Sequence, residues 1–142
     1  MQKALVCSVC GYVHLKETAP EKCPVCGANS KVFSLKDDAL KTKDDIVTVG
    51  ESHKKHLPQV SINNISEDVQ EIKVKIGEIE HPMMPEHYIT NIMFYADDEY
   101  VGGIALTHNL KPEGSISVKA KGKKISVIEH CNLHGDWITE IK

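Results

Sequence analysis

The chain of 142 residues contains no arginine, and all seventeen of its basic side chains are lysines. Its formal net charge is -3, so positive charge is not in excess. Proteins that read nucleic acid rely on basic surfaces and on the planar guanidinium group, which contacts phosphate and guanine through two hydrogen bonds at once. The composition therefore argues against nucleic-acid binding, and we expect small-molecule or protein partners.

Long apolar segments are also missing. No stretch approaches the roughly 20 apolar residues of a membrane span, and the residues before Cys7 lack the apolar core of a signal peptide. We therefore expect no membrane segment and a cytoplasmic location. In that reducing compartment, paired cysteines are more often metal ligands than disulfides.

Cysteine is scarce beyond the first quarter of the chain. Four of the five cysteines lie within the first 26 residues, and the fifth is Cys131. This uneven distribution predicts a small metal-binding domain over residues 1–35 and a larger domain over residues 46–142. Residues 36–45 are charged and nearly free of large apolar side chains, which predicts a solvated linker between the two.

The N-terminal cysteines form a short repeat. Residues 7–11 and 23–27 both read Cys-x-x-Cys-Gly, so each copy can present two thiolates on one tight turn, and the glycine permits a positive φ. Four thiolates suit one tetrahedral ion, either zinc or iron. A unit of this size buries little apolar surface, so we expect the metal to hold its fold together. The candidate ligands are Cys7, Cys10, Cys23 and Cys26.

The rest of the chain has a β pattern. Short β-branched runs are broken by turn signals about every ten residues, as in an all-β sandwich or barrel. We expect residues 46–50 to begin this domain. Ile72, Val74 and Ile76 alternate with lysines in one predicted strand. Residues 87–95 have apolar side chains at both odd and even positions, which predicts a strand covered on both faces.

Three further runs carry candidate ligands. They are residues 55–58 (Lys-His-Leu-Pro), 81–89 (His-Pro-Met-Met-Pro-Glu-His-Tyr-Ile) and 131–137 (Cys-Asn-Leu-His-Gly-Asp-Trp). Together they offer four imidazoles and one thiolate, which is one ligand too many for a closed zinc site. A mixed imidazole and thiolate set with one open position indicates iron in redox chemistry.

These three runs, in this order, resemble the motifs of the superoxide reductases (desulfoferrodoxin and neelaredoxin) over roughly the last two thirds of the chain. The resemblance implies an immunoglobulin-like sandwich of about seven strands. It also implies a ferrous centre that reduces superoxide to hydrogen peroxide by one electron, without dismutation. The implied ligands are an equatorial square of His56, His81, His87 and His134, with Cys131 as the axial thiolate.

Lys55 stands where the family has its functional lysine, whose ammonium group would attract a small anion and stabilise developing negative charge. One neighbour departs from the family pattern. The family often has a glutamate directly before this lysine, which can close the sixth position of the oxidised metal, and here the residue is Lys54. Without that carboxylate the ferric ion would be open to water or hydroxide, unless Glu51 substitutes.

The N-terminal unit resembles the short rubredoxin-like domains at residues 10–14 (Cys-Gly-Tyr-Val-His) and 19–27 (Ala-Pro-Glu-Lys-Cys-Pro-Val-Cys-Gly). This resemblance implies one iron that cycles between ferric and ferrous, although the spacing alone equally permits a zinc ribbon. The expected cofactors are therefore two irons per chain, with zinc possible at the N-terminal site. The resemblances further imply a homodimer or tetramer and an external electron donor such as rubredoxin or its reductase.

Two other functions fit parts of the sequence. A diiron peroxidase is suggested by Glu78-x-x-His81, but Pro82 follows at once and the surroundings are rich in β signals, whereas a diiron bundle needs such motifs on helices. The second alternative is not an enzyme: a zinc ribbon joined to a β-sandwich binding module, or a pure electron-transfer protein.

The remaining aromatic and imidazole side chains near these motifs have ordinary interpretations. Trp137 is expected to pack against the flank of the site. The other histidines are expected outside the ligand set, mostly at the surface, and are His14, His53, His108 and His130.

Overall fold

The computed structural model describes residues 1–45 and 52–142 of the chain. The predicted start of the second domain at 46–50, together with Glu51, lies outside the described residues, as does the side chain of His53. No helix in the described part of the chain is both long and apolar enough to cross a bilayer.

The strands are β1 (Gln2–Cys7), β2 (Val13–His14), β3 (Phe33–Lys41), β4 (Pro58–Asn64), β5 (Gln70–Ile76), β6 (Ile89–Ala96), β7 (Glu99–Ala105), β8 (Glu113–Val118), β9 (Ile125–Cys131) and β10 (Gly135–Ile141). A one-turn helix, α1, spans Ser52–His56, and 3-10 turns span Ser30–Val32 and Lys43–Asp45.

Seven strands form a β-sandwich. One layer has the order β4-β5-β8, and the other has β10-β9-β6-β7, with antiparallel pairing throughout both layers. The expected mainly β fold and its sandwich are confirmed. The motifs that carry the candidate ligands lie at one end, where β9 turns into β10 and where the connections before β4 and β6 run.

Alternation along the strands explains the core of the sandwich. In β5 the apolar side chains Ile72, Val74 and Ile76 are buried, and the two lysines between them are exposed. The three apolar side chains of β5 face apolar side chains of β6 and β9, such as Phe94 and Val127, which are fully buried. Removal of this apolar surface from water is the main stabilising contribution.

Strand β6 is covered on both faces, as its sequence predicts. Phe94 points into the sandwich, whereas Met93 and Tyr95 point out of it into a second core. That second core lies between the sandwich and the N-terminal unit, and it also contains Tyr12 and Val13. The Tyr95 hydroxyl donates a hydrogen bond to the Val13 carbonyl, which joins the two cores directly.

The N-terminal unit also extends the sandwich through its backbone. Strand β1 pairs with β2 and β3, and β3 pairs in parallel with β10, so that the four-stranded layer becomes part of a seven-stranded sheet, β2-β1-β3-β10-β9-β6-β7. Leu40 lies opposite Asp136 in this pairing, and Lys41 lies opposite Trp137. The backbone of the small unit is therefore bonded to the strand that follows the last ligand motif.

The structure differs from the expectation of a solvated linker at 36–45. Residues 36–41 are the second half of β3, and Leu40 is completely buried in the second core. Asp45 is buried too, and its carboxylate accepts a hydrogen bond from the backbone of Thr42 at 2.7 Å. The charged residues of this segment mislead because they cover the solvent face of a paired strand. Whether the chain divides into folding domains at the predicted positions stays a prediction.

Candidate metal centres

The four N-terminal cysteines converge on one point. Their sulfur atoms all lie within 4.8 Å of one another, with Cys7 and Cys26 3.7 Å apart and Cys10 and Cys23 3.6 Å apart. Sulfurs at the corners of a tetrahedron around a metal, with bonds of about 2.3 Å, would be about 3.8 Å apart. The cluster therefore has the size that a tetrahedral metal requires.

The two Cys-x-x-Cys-Gly turns have matching backbone geometry. Gly11 and Gly27 have φ of 85° and 78°, and each donates its N–H to the carbonyl of the first cysteine of its turn at 2.9 Å. Burial raises the pKa of the Cys7 thiol, but hydrogen bonds from the backbone of Cys10 and Val9 outweigh burial and bring the pKa down to about 7. The backbone of the first turn therefore favours the thiolate of Cys7, the form that binds metal, whereas burial raises the pKa of the Cys10 thiol to about 12.

Four imidazoles form a closed ring at the end of the sandwich. The ring centroids of His56 and His81 are 4.6 Å apart, and those of His81 and His87 are 4.8 Å apart. His134 closes the ring, with centroid separations of 5.0 Å both to His87 and to His56. Every neighbouring pair meets edge to face, with interplanar angles from 63° to 80°. This is the arrangement expected when rings surround a common centre, and among the described residues it is His56, His81 and His87, without His134, that bring their nitrogens within 4.8 Å of one another.

Cys131 supplies sulfur to this group. Its Sγ lies with a nitrogen each of His56, His81 and His87 in a cluster whose atoms are within 4.8 Å of one another. His134 lies beside it, with Nδ1 3.7 Å from Sγ. Cys131 is completely buried, so the thiolate would be shielded from water.

His56 is positioned by α1 and by a tight turn against it. Gly77, with φ of 89°, allows the chain after β5 to pass close to this helix, because a Cβ there would come within 2.6 Å of the Lys55 carbonyl oxygen. The turn is then fixed by hydrogen bonds from Gly77 N to Leu57 O and from Ile79 N to the Lys54 carbonyl. Lys55 itself is exposed, next to His56 at the end of α1.

The loop from 77 to 88 carries the other two histidines. Its backbone is bonded to β5 through His81 N and Ile76 O, at 3.2 Å. Met84 and His87 exchange two backbone hydrogen bonds of 3.0 Å, so a narrow turn holds His87 in place. The described residues of this loop are turns and bridges without helix, which argues against the diiron alternative built on Glu78 and His81.

The Nε2 atoms of His81 and His87 are not used in hydrogen bonds within the described residues, so they are available to bind a metal. His81 donates Nδ1–H to the Pro82 carbonyl at 2.7 Å, so its Nε2 carries the lone pair, and that buried atom has no hydrogen-bond partner among the described residues. Nε2 of His87 is likewise buried and without a partner there. Buried nitrogens of this kind are costly unless they bind something. The donor set therefore fits a metal.

The two buried imidazoles of the cluster, His56 and His81, are held neutral, the form that binds metal. Burial lowers the pKa of His56 to about 3, and the neighbouring histidines add to the effect. Burial also lowers the pKa of His81 to about 4, where the Pro82 hydrogen bond opposes the shift and the nearby Lys55 ammonium adds to it. Lys55 directly precedes His56 in α1, so the short helix that positions this histidine also carries the positive charge.

Glu129 is a buried carboxyl group that the sequence did not single out. It lies on β9 two residues before Cys131, it is completely buried, and its Oε2 is 3.7 Å from Nδ1 of His56. Burial raises its pKa well above the usual range. Strand alternation could have found it, because Val127, Glu129 and Cys131 share one face of β9 and the first and last of these belong to the sandwich core.

The remaining histidines with described side chains, His14, His108 and His130, lie outside the cluster, as expected. His130 points away from Cys131 and pairs with Asp136, with 2.6 Å between Nδ1 and Oδ1. His14 is half-buried rather than exposed, and its Nδ1 is 3.0 Å from the Tyr12 hydroxyl. His108 is half-buried beside Tyr88.

Trp137 packs on the flank of the site, as predicted. It stacks on His56 with a centroid separation of 4.9 Å and an interplanar angle of 8°. Only 1% of it is exposed, so it covers the imidazole from solvent.

Fold and clusters together define a metalloprotein with two metal-binding sites, one made of four cysteines on N-terminal turns and one of histidines and a cysteine at the end of a β-sandwich. A family model described as desulfoferrodoxin matches residues 48–140, and one described as the rubredoxin-like domain of rubrerythrin matches residues 6–34. The chain belongs to the desulfoferrodoxin family.

Individual relatives agree with the family models. The desulfoferrodoxin of Desulfarculus baarsii is 32% identical over 132 residues, which cover 84% of this chain and 93% of that protein. The superoxide reductase of Pyrococcus abyssi is 31% identical over 112 residues, covering 70% of this chain and 96% of that protein. The structure of the superoxide reductase from Nanoarchaeum equitans superimposes with a TM-score of 0.57 at 27% identity, covering 62% of this chain and 92% of that one.

Proposed function

We propose that this protein is a superoxide reductase, an oxidoreductase that reduces superoxide to hydrogen peroxide with one electron and without dismutation. The observation that carries the proposal is the closed ring of four imidazoles beside one buried thiolate. Relatives named superoxide reductase support it. We propose iron as the metal, which His56, His81, His87, His134 and Cys131 would hold.

Iron at this centre would supply the single electron that superoxide requires. The protein contributes the surroundings. Burial of Cys131 keeps water from the thiolate, and burial of His56 and His81 keeps their imidazoles neutral, so that a divalent ion retains net positive charge. A positive centre of this kind attracts an anionic substrate.

Lys55 is the residue we assign to recruitment of the substrate. Its side chain is exposed, it directly precedes His56, and its charge acts on His81. A cation in this position would draw superoxide from solvent and stabilise the negative charge that grows as the electron is transferred.

The N-terminal cluster is proposed to hold a second iron that exchanges electrons. Cys10 and Cys26 are exposed whereas Cys7 and Cys23 are buried, so one side of the cluster is open to a protein partner. We propose an external electron donor such as rubredoxin or its reductase, and a homodimer or tetramer as the working form. Five free cysteines are suited to a reducing compartment, which supports a cytoplasmic location.

Metal content and rapid kinetics test the function. Protein purified without oxygen should contain two irons per chain, and the ferric form should show the red colour of the four-cysteine iron and a second band from the histidine and cysteine centre. Superoxide generated in a pulse should be consumed at a rate proportional to protein concentration, yielding hydrogen peroxide.

Two cysteine variants assign the reaction to one centre. Cys131→Ser should abolish superoxide reduction and the second band but keep the red colour. Cys26→Ser should lose the red colour of the four-cysteine centre but keep the second band. If Cys131→Ser still reduces superoxide, Cys131 is not a ligand of the reactive metal. If the protein contains zinc at both sites and does not reduce superoxide, the binding-module alternative is supported instead.

A further inference from the structure

Lys41 reaches the second metal centre from the N-terminal unit. It is the last residue of β3, and its Nζ donates a hydrogen bond of 2.7 Å to the carbonyl oxygen of His134. The same ammonium lies 5.4 Å from the centroid of Trp137, the residue opposite Lys41 in the pairing of β3 with β10. Trp137 in turn stacks on His56. Lys41 therefore contacts two residues of the C-terminal centre, although it is distant from them in sequence.

The residue that Lys41 holds is the least enclosed of the four histidines. His56 and His81 are buried and His87 is half-buried, whereas His134 is exposed in the short turn between β9 and β10. A side chain on an exposed turn has more conformational freedom than one in a core, so its position depends on the few bonds that fix the turn.

Two anchors fix this turn at its two ends. At the start, Asn132 accepts a hydrogen bond from Tyr88 N at 2.9 Å and donates one to the Glu86 carbonyl at 3.1 Å, which ties the turn to the loop that carries His87. At the end, Lys41 holds the His134 carbonyl just before Gly135, which turns the chain with φ of 79°. Asp136, the residue after Gly135, pairs with His130 through Oδ1 at 2.6 Å.

We propose that Lys41 is a positioning residue of the second centre: it fixes His134 as a ligand, and it thereby makes the N-terminal unit part of that centre. This inference rests on the proposed function to the extent that His134 is taken as a ligand. The contact is charge-assisted, and hydrogen bonds of this kind are shorter and stronger than those between neutral groups. Partners that orient ligands typically change metal affinity by about 10 to 100-fold when they are lost.

The test compares three lysine variants in the full-length, iron-loaded protein. Lys41→Met keeps most of the side-chain length over Trp137 but removes the donor. Lys41→Arg keeps the charge and a donor. Lys36→Met removes a charge from an exposed position on the same strand, beside the same groove that contains His134. The rate at which a chelator removes iron, the visible band of the second centre and its reduction potential are measured, with thermal unfolding as a check of the fold.

We expect Lys41→Met to lose iron from the second centre about tenfold faster and to shift its band, while the red centre keeps its spectrum. Lys41→Arg should restore most of both properties, and Lys36→Met should behave as the unchanged protein. If Lys41→Met destabilises β3, Lys41→Thr, which suits a strand but is too short to reach the His134 carbonyl, removes the same bond.

Three outcomes overturn the inference. One is a Lys41→Met protein with unchanged iron release and band. Another is an equal loss in Lys36→Met, which would assign the effect to general charge, and a third is failure of Lys41→Arg to restore either property. A His134→Ala variant tests the ligand set separately from the role of Lys41. If the band of the second centre is unchanged in His134→Ala, His134 is not a ligand, and the role of Lys41 fails with it. If the band changes in His134→Ala but not in Lys41→Met, the ligand stands and only the role of Lys41 is rejected.

Discussion

The carboxyl group of Glu129 and the imidazole of His56 face each other inside the sandwich, with 3.7 Å between Oε2 and Nδ1. Both side chains are buried, and none of these facing atoms has a hydrogen-bond partner among the described residues. For His56 to bind metal through Nε2, its Nδ1 must carry the proton. The side-chain oxygen of Glu129 is the group positioned to accept a hydrogen bond from that N–H. A ligating histidine commonly donates its second N–H to such a group, which fixes the tautomer and the ring orientation.

Replacing Glu129 tests this relationship. Glu129→Leu should leave the Nδ1–H of His56 buried without an acceptor and weaken iron binding at the second centre by about 10 to 100-fold. Glu129→Gln keeps an acceptor oxygen and should retain most of the affinity. Competition with a chelator, followed at the band of the second centre, measures both. Equal affinities in the two variants would show that Glu129 only fills space.

Lys55 should control the encounter with superoxide. Lys55→Ala removes the exposed cation beside His56, so the second-order rate of superoxide consumption should fall by about tenfold and depend less on ionic strength. Lys54→Ala is the matched control, because it removes an equal charge one residue further away. Pulse kinetics at several salt concentrations give the result. A rate equal to that of the unchanged protein would remove Lys55 from the mechanism.

Leu40 distinguishes a paired strand from a linker. It is completely buried between β3 and the sandwich, so Leu40→Ala should lower the free energy of unfolding by about 2–4 kcal/mol. Leu35 lies on the same strand but is 60% exposed, and Leu35→Ala should change stability by less than about 0.5 kcal/mol. Denaturant unfolding of the iron-loaded protein compares the two. Similar small effects would mean that the segment 36–45 behaves as a tether in solution.

Removal of the metal should make the sandwich sensitive to acid. The pKa values of His56 and His81 in the folded chain, about 3 and about 4, lie below the usual 6.5, so folding favours their neutral forms. This contribution to stability is fully present above pH 6.5 and is lost as the pH falls towards these values. Between pH 7 and pH 5 the loss should reach up to about 2 kcal/mol for each histidine.

The single tryptophan reports this change, because Trp137 stacks on His56. Denaturant midpoints of the metal-free protein, followed by tryptophan fluorescence, should fall with pH. His81→Gln should reduce the slope, and His108→Gln, changed outside the cluster, should keep it. A midpoint independent of pH across this range would contradict the burial of neutral imidazoles.

Local patterns were sufficient where the chemistry is local in sequence. The spacing of Cys7 and Cys10, and of Cys23 and Cys26, places two thiolates on each turn, so the first cluster could be predicted without knowledge of the fold. The β pattern predicted the core face of β5 and the doubly covered β6, because alternation of side chains is a property of the strand itself. The identity of the metals and the role of each ligand stay predictions.

Contacts made across the fold could not be predicted in this way. Residues 36–41 appear charged and solvated in sequence, yet pairing with β1 and β10 makes them a strand that buries Leu40 and brings Lys41 to His134. Glu129 appears as one more acidic residue, and its burial against His56 depends on how β9 packs.

The sequence by itself determined which side chains are available to bind metal and which apolar segments, such as β5 and β6, form strands, because ligand chemistry and strand alternation are set by residue type and spacing. Only the tertiary structure decided which of the eight histidines meet around Cys131 and which charged groups surround them. The physical reason is that these groups come from α1, from two loops, from β3 and from β9. The positions of these elements relative to one another are fixed by the two buried cores and by sheet pairing rather than by any local signal.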